Sequence, residues 1–278
     1  MIELNGMLVD YSQFPNGETC VNGQQIKKLV DTKDVNKVNF KYENDSDLIK
    51  LMFLKKHLDS MKVKTRLKIV YMPYSRMDRV EGNSVFTLKY VTEFINQLGF
   101  TEVIVFEPHS DVTPALLDRC EPIYATKHLV HEVMQIVGFD KDKDYLFLPD
   151  AGAAKRYTIK GYKHLKGDKR RNFVSGEIEG LDIIGEMEEG AKVIIMDDLC
   201  SFGGTFMRSA KKLKELGASE VYVVVTHCEN SVHKGYIPTD DVIDGLFTTD
   251  TIISESNCEK IHIIKIPKSI EKNLEDVA

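Results

Sequence analysis

The sequence predicts an α/β protein of two domains, each a mostly parallel sheet flanked by helices, and three observations carry that prediction. Strand-like apolar runs alternate with amphipathic helical stretches, and glycines stand where the helical stretches end. The chain of 278 residues exceeds one ordinary domain, and 42% hydrophobic residues supply enough apolar surface for two cores.

Lys68–Met72 is a short apolar run stopped by Pro73. Thr87–Leu98 then carries Leu88, Val91, Phe94, Ile95 and Leu98 at helical spacing before Gly99, and Thr101–Glu107 reads as a strand. The rhythm returns with strands at Tyr145–Leu148 and Lys192–Met196, a helix over Thr205–Leu216 closed by Gly217, and a strand over Glu220–Thr226. Repeated strand–helix–strand units predict parallel pairing. No Pro/Gly/Ser-rich linker divides the chain, so spacing alone places a boundary near Pro122–Tyr124, giving domains 1–123 and 124–278. The charged stretch Asp31–Asp47 reads as solvated loop and helix ends.

A formal charge of −6 gives no overall field to attract nucleic acid or an anionic membrane, so an anionic ligand needs a local basic site. Five cysteines (Cys20, Cys120, Cys200, Cys228, Cys258), dispersed and never in a CxxC arrangement, argue for reduced, mostly buried thiols. The start MIELNGMLVD lacks a basic-then-apolar order, and no run reaches the ~20 apolar residues that span a bilayer. A soluble, cytoplasmic protein with no nucleic-acid or membrane partner is expected.

The segment carrying most chemistry runs from Val193 through Asp197-Asp198-Leu199-Cys200-Ser201-Phe202-Gly203-Gly204-Thr205: a strand, an acidic pair, a small-residue loop and a helix start. Such a loop wraps a phosphate with backbone N–H groups at a helix N-terminus, while exposed strand-end carboxylates accept hydrogen bonds from ribose hydroxyls. The bland reading is a capped turn with glycines that allow tight bends. Neither GxxxxGK[ST] nor GxGxxG occurs.

Elsewhere, Arg76 and Arg79 suit a polyphosphate because guanidinium forks bind phosphate oxygens in pairs, and Asp78 can orient one of them. An exposed ion-pair triplet is the alternative. Between Lys160 and Arg171 stand six Lys/Arg residues against only Asp168, a run able to close over phosphates or simply to form a solvated face. His128 and His131 stand three apart on a predicted helix with no third ligand nearby, and read as a solvated face.

The acidic pair followed by Gly-Gly-Thr resembles the signature of the phosphoribosyl diphosphate synthetases, shared in part by type I phosphoribosyltransferases. Pro73-Tyr74-Ser75-Arg76-Met77-Asp78-Arg79 resembles the synthetases' ATP-binding segment, and Phe14-Pro15-Asn16-Gly17-Glu18 their adenine-contacting one. Glu107-Pro108-His109-Ser110, Pro149-Asp150-Ala151-Gly152, Asp168-Lys169-Arg170-Arg171, Thr226-His227 and Thr249-Asp250-Thr251-Ile252 extend the similarity over nearly the whole chain.

The resemblance implies two type I phosphoribosyltransferase-like domains and transfer of a diphosphate from Mg-ATP to the anomeric hydroxyl of ribose 5-phosphate. It implies Phe14, Asn16, Glu18, Arg76, Asp78, Arg79 and His109 at ATP, with His109 and Asp150 at Mg²⁺. Asp150, Asp197, Asp198, Ser201, Phe202, Gly203, Gly204 and Thr205 fall to the ribose phosphate, and Lys169, Arg170 and Arg171 to the catalytic loop. A homo-oligomer, with Phe14, Asn16 and Glu18 reaching a neighbour's adenine site, is also implied.

Departures from the family pattern are Ser201-Phe202 in place of Asp-Thr, Asn16 in place of an aspartate, and a start about where the first strand–helix unit should have ended, which puts the family's allosteric control in question. Three other readings stay open: the same chemistry on ADP-ribose, a non-catalytic synthetase-like subunit, and a phosphoribosyltransferase.

Overall fold

The computed structural model describes residues 1–171 and 178–266. Its internal contacts divide the chain into two units, Met1–Tyr124 and Ala125–Ala278.

The first unit runs β1 (Ile2–Leu4), β2 (Met7–Leu8), β3 (Tyr11–Gln13), β4 (Thr19–Val21), α1 (Gly23–Leu29), β5 (Asn36–Phe40), α2 (Ser46–Ser60), β6 (Thr65–Ile69), α3 (Thr87–Leu98), β7 (Val103–Phe106), α4 (Val112–Leu116) and β8 (Cys120–Ile123). Its six-stranded sheet has the order β2-β1-β5-β6-β7-β8. β5 to β8 pair in parallel, and β1 is antiparallel to both neighbours. β3 and β4 form a separate hairpin.

α3 has the bounds its apolar spacing predicts, because Leu88, Ile95 and Leu98 enter the core and Gly99 closes it at φ 70°. The predicted strand Lys68–Met72 begins and ends earlier, as β6. Val70 N–H donates to Phe40 O, and the chain then turns into Pro73, which cannot donate to a ladder.

β5 corrects the expectation that Asp31–Asp47 is solvated throughout. Val38 and Phe40 are buried between β1 and β6 while Lys37 points out. The apolar signal was hidden by Asn36, which is fully buried yet satisfied. Its Oδ1 accepts from Asp31 N–H and Asn5 Nδ2, each at 2.8 Å, and its Nδ2 donates to Asp31 O at 2.8 Å.

The second unit runs α5 (Thr126–Val137), β9 (Tyr145–Leu148), α6 (Ala151–Tyr157), β10 (Lys163–Arg171), β11 (Ile178–Ile184), β12 (Lys192–Cys200), α7 (Gly204–Glu215), β13 (Glu220–Cys228), a 3₁₀ turn (Asn230–Lys234), β14 (Gly245–Thr249) and β15 (Ile261–Ile264). The seven-stranded sheet has the order β11-β10-β9-β12-β13-β14-β15, parallel except for β10–β11.

Along β12 the side chains alternate between two cores, which explains a run apolar at every position. Val193 and Ile195 pack with Phe206, Met207, Ala210 and Leu213 of α7. Ile194 and Met196 pack with Leu129, Val130 and Val133 of α5 and Tyr157 of α6. The unit is therefore a mostly parallel sheet with helices on both faces, and the adjacent carboxyl ends of β9, β12 and β13 carry the loops where such sheets bind ligands. Among the described residues no helix is long and apolar enough to cross a membrane.

Candidate active site

Asp197 and Asp198 do not stand on an exposed strand end, as the sequence suggested. β12 keeps its ladder with β13 beyond them, through Leu199↔His227 and Cys200↔Cys228, so the pair is drawn into the sheet. Asp198 is only 6% exposed and Asp197 half-buried. Asp198 N–H donates to Asp197 Oδ1 at 3.0 Å.

Asp150 joins them because β9 and β12 are paired with Phe147 beside Ile195, and Asp150 follows Phe147 by three residues as Asp197 and Asp198 follow Ile195 by two and three. Burial first, then the Asp198 carboxyl and the charge of Asp150, push the Asp197 carboxyl well above its usual range. Asp150 also closes the start of α6, its Oδ1 accepting from Ala153 N–H at 3.0 Å. These residues form a compact acidic group at the sheet end, suited to ribose hydroxyls or to a hydrated cation.

The following turn is built around Gly203. It has φ 81°, and a β-carbon there would lie 2.8 Å from Ile237 Cδ1, so glycine is required twice over. Met207 N–H donates to Gly203 O at 2.9 Å, starting the 12-residue α7, whose first-turn amides face the loop as donors. Ser201 and Ser231 hydroxyls share a hydrogen bond of 3.0 Å. The Phe202 carbonyl accepts from Tyr236 N–H at 3.3 Å while its ring is 52% exposed.

Sequence reasoning missed the segment that backs this loop. Gly235 approaches Phe202 so closely that a β-carbon would fall 2.0 Å from Phe202 O, and Ile237 fills the space beneath Gly203. No motif announces these contacts, which join positions more than 30 residues apart; the only local signal is Gly235 itself.

The Thr226-His227 and Thr249–Ile252 matches supply a buried polar network rather than an exposed surface. The Thr226 carbonyl accepts from Thr249 Oγ1 at 2.7 Å and Thr251 Oγ1 at 3.2 Å. His227 Nδ1 and Thr251 Oγ1 lie 2.8 Å apart, and Thr126 and Thr226 hydroxyls 2.7 Å apart. Cys200 and Cys228 are buried free thiols, while Cys20, Cys120 and Cys258 are half-buried. His128 and His131 are exposed.

In the first unit, residues 72–79 fold as consecutive turns in which Pro73, Ser75 and Asp78 are buried and Arg76 and Arg79 exposed. Arg79 Nε lies 3.6 Å from Asp78 Oδ1 and 3.7 Å from Glu81 Oε2. Asp78 is thus buried and faces one guanidinium, so the triplet is not a wholly exposed one. His109 is half-buried, two residues past Glu107, which is buried at φ 42°.

Phe14, Asn16 and Glu18 all lie at the exposed tip of the β3–β4 hairpin. Asn16 Oδ1 accepts from Glu18 N–H at 3.2 Å, and Gly17 at φ 88° completes the turn, so asparagine keeps the turn-forming oxygen that an aspartate would supply. The backbone of Lys169, Arg170 and Arg171 belongs to β10, paired with Leu181, Gly180 and Ile178. Their side chains lie outside the described residues.

Against known proteins, the chain is 30% identical to the ribose-phosphate pyrophosphokinase of Vibrio parahaemolyticus, an alignment covering 87% of this chain and 77% of that one. The chain belongs to the ribose-phosphate pyrophosphokinase family. The family's enzyme from Sulfolobus acidocaldarius is 27% identical over 96% of this chain and 91% of its own length. Residues 171–276 match the family model of the phosphoribosyl synthetase-associated domain. The crystal structure of phosphoribosylpyrophosphate synthetase from Mycobacterium smegmatis superposes with a TM-score of 0.75 over 97% of this chain and 91% of that one, at 17% identity. The fold class expected from the sequence, two type I phosphoribosyltransferase-like α/β domains, is therefore the fold found.

Proposed function

We propose that the chain transfers the β,γ-diphosphate of Mg-ATP to the anomeric hydroxyl of ribose 5-phosphate, giving phosphoribosyl diphosphate and AMP. The observation that carries this reading is the left-handed Gly203 turn opening α7 directly after a strand that holds Asp197 and Asp198, with Asp150 beside them. Backbone donors for a phosphate and carboxylate acceptors for ribose hydroxyls are what a ribose 5-phosphate needs at its two ends. The activity for which the relatives are named supports the same conclusion.

In the reaction the anomeric oxygen forms a bond to the β-phosphorus, the bridge between α- and β-phosphorus breaks, and the hydroxyl proton is lost as AMP departs. The protein positions the reactants and neutralises charge rather than forming a covalent intermediate. Residues 1–123 form the ATP side, where Arg76 and Arg79 bind phosphate oxygens, Asp78 orients Arg79, His109 contacts the phosphates, and Phe14, Asn16 and Glu18 serve an adenine site in a neighbouring copy of a homo-oligomer.

Residues 124–278 form the acceptor side, with Asp197 and Asp198 on the ribose hydroxyls and Ser201, Phe202, Gly203, Gly204 and Thr205 around the 5-phosphate. Lys169, Arg170 and Arg171 stabilise the diphosphate as it moves. The cytoplasm is the compartment that fits such substrates.

A hydrated magnesium ion would be held at this acidic group, where a divalent cation would offset the burial and the mutual repulsion that push the Asp197 carboxyl above its usual range. No group of three or more His, Cys, Asp or Glu able to hold a metal ion occurs among the described residues, so such an ion would have to take most of its ligands from substrate phosphates and water. Of the residues that the resemblance implies at the ion, Asp150 belongs to this acidic group and His109 to the first unit, and a bound ion would neutralise phosphate charge. AMP release from Mg-ATP that depends on added ribose 5-phosphate tests the reading; equal AMP release without acceptor counts against it.

A further inference from the structure

The turn that presents Arg76 is held by a contact made outside it. Tyr74 has φ 61°, a left-handed backbone that an aromatic residue adopts only where its surroundings impose it. Its carbonyl accepts from Met77 N–H at 2.9 Å, closing a turn with Arg76 exposed inside it. Its hydroxyl donates to Asp45 Oδ1. The Tyr42 hydroxyl donates to the same oxygen at 2.5 Å, and the two tyrosine rings sit 6.2 Å apart at 59°.

Asp45 stands at the N-cap of α2, where a carboxylate ordinarily accepts from the first amides of its helix, yet it makes no such bond. It is committed instead to the two tyrosines. Their hydrogen bonds, Tyr42 first and then Tyr74, hold its carboxyl below the usual range, so it stays a charged acceptor.

We propose that Asp45, braced by Tyr42, is a positioning residue for ATP: by holding Tyr74 in its left-handed conformation it fixes the backbone from which Arg76 projects to the polyphosphate. The inference rests on the assignment of Arg76 made under the proposed function. Asp45 itself touches no substrate.

The test is a titration of Mg-ATP binding by calorimetry, together with steady-state AMP release, on the full chain and on Asp45→Ala, Tyr74→Phe, their double variant and Asp45→Asn. Asp45→Ala and Tyr74→Phe are each expected to weaken ATP binding and raise its KM by about tenfold, with the KM for ribose 5-phosphate unchanged. The double variant should be no worse than the poorer single one, since both remove one contact. Asp45→Asn keeps an acceptor oxygen and should recover most of the affinity.

Unchanged ATP constants, or equal losses for both substrates, would overturn the proposal. If Asp45→Ala melts early, the isosteric Tyr74→Phe decides. Because binding is read apart from turnover, a wild-type chain that binds Mg-ATP but releases no AMP refutes the assigned reaction, and the binding series still judges Asp45. A wild-type chain that does not bind Mg-ATP refutes both.

Discussion

Gly203 and Asp197 show how single residues divide between fold and chemistry. At φ 81°, and with Ile237 Cδ1 only 2.8 Å from where a β-carbon would stand, Gly203→Ala should lose about 1–2 kcal/mol of stability and shift the loop amides. A lower melting temperature and a raised KM for ribose 5-phosphate would register both effects. Asp197→Asn should act in opposite directions on the two readouts. A carboxyl whose folded pKa is raised binds its proton more tightly folded than unfolded, so it costs stability as pH rises above the unfolded value. In metal-free neutral buffer, thermal melting should show the asparagine variant as stable as wild type or more so, while its acceptor kcat/KM falls. Phe202→Thr restores a hydroxyl beside the 5-phosphate and should preserve or improve use of ribose 5-phosphate; selective loss on ADP-ribose, measured as a ratio of specificity constants, would instead assign the exposed ring to a base.

Elements were legible where one signal dominated. α3 followed from five apolar residues at helical spacing, and β9 from an unbroken apolar run. β5 was hidden because its buried Asn36 is satisfied by Asn5 and Asp31, contacts that no local pattern reveals. The acidic pair was legible as chemistry, but its burial was not, since that depends on β13 extending the ladder past it. The backing of the loop by Gly235 and Ile237 was invisible for the same reason. Gly235→Ala places a methyl against the Phe202 carbonyl, whose oxygen stands 2.0 Å from the ideal position, so the loop must move. The expected outcome is a raised acceptor KM with ATP affinity retained, measured by initial rates. In the first unit, Phe40→Ala removes a fully buried ring from β5 and should cost about 3–5 kcal/mol in denaturant unfolding.

The two sheets give the fold of the synthetases, and the family relationship gives the reaction. The basic loop acts on the rate of that reaction. Lys169→Ala and Arg171→Ala should each depress kcat far more than ATP binding, because their charge is needed as the diphosphate moves. Near-normal turnover would remove the loop from the mechanism. Sedimentation should show a homo-oligomer, and a fully active monomer would contradict the assignment of Phe14, Asn16 and Glu18 to a neighbour's adenine site. Which phosphate bond breaks is read directly by phosphorus NMR of the products formed from Mg-ATP and ribose 5-phosphate. The expected products are AMP and a C1 diphosphate ester in equal amounts; ADP with a sugar monophosphate, or free phosphate with no new ester, would rule out diphosphate transfer.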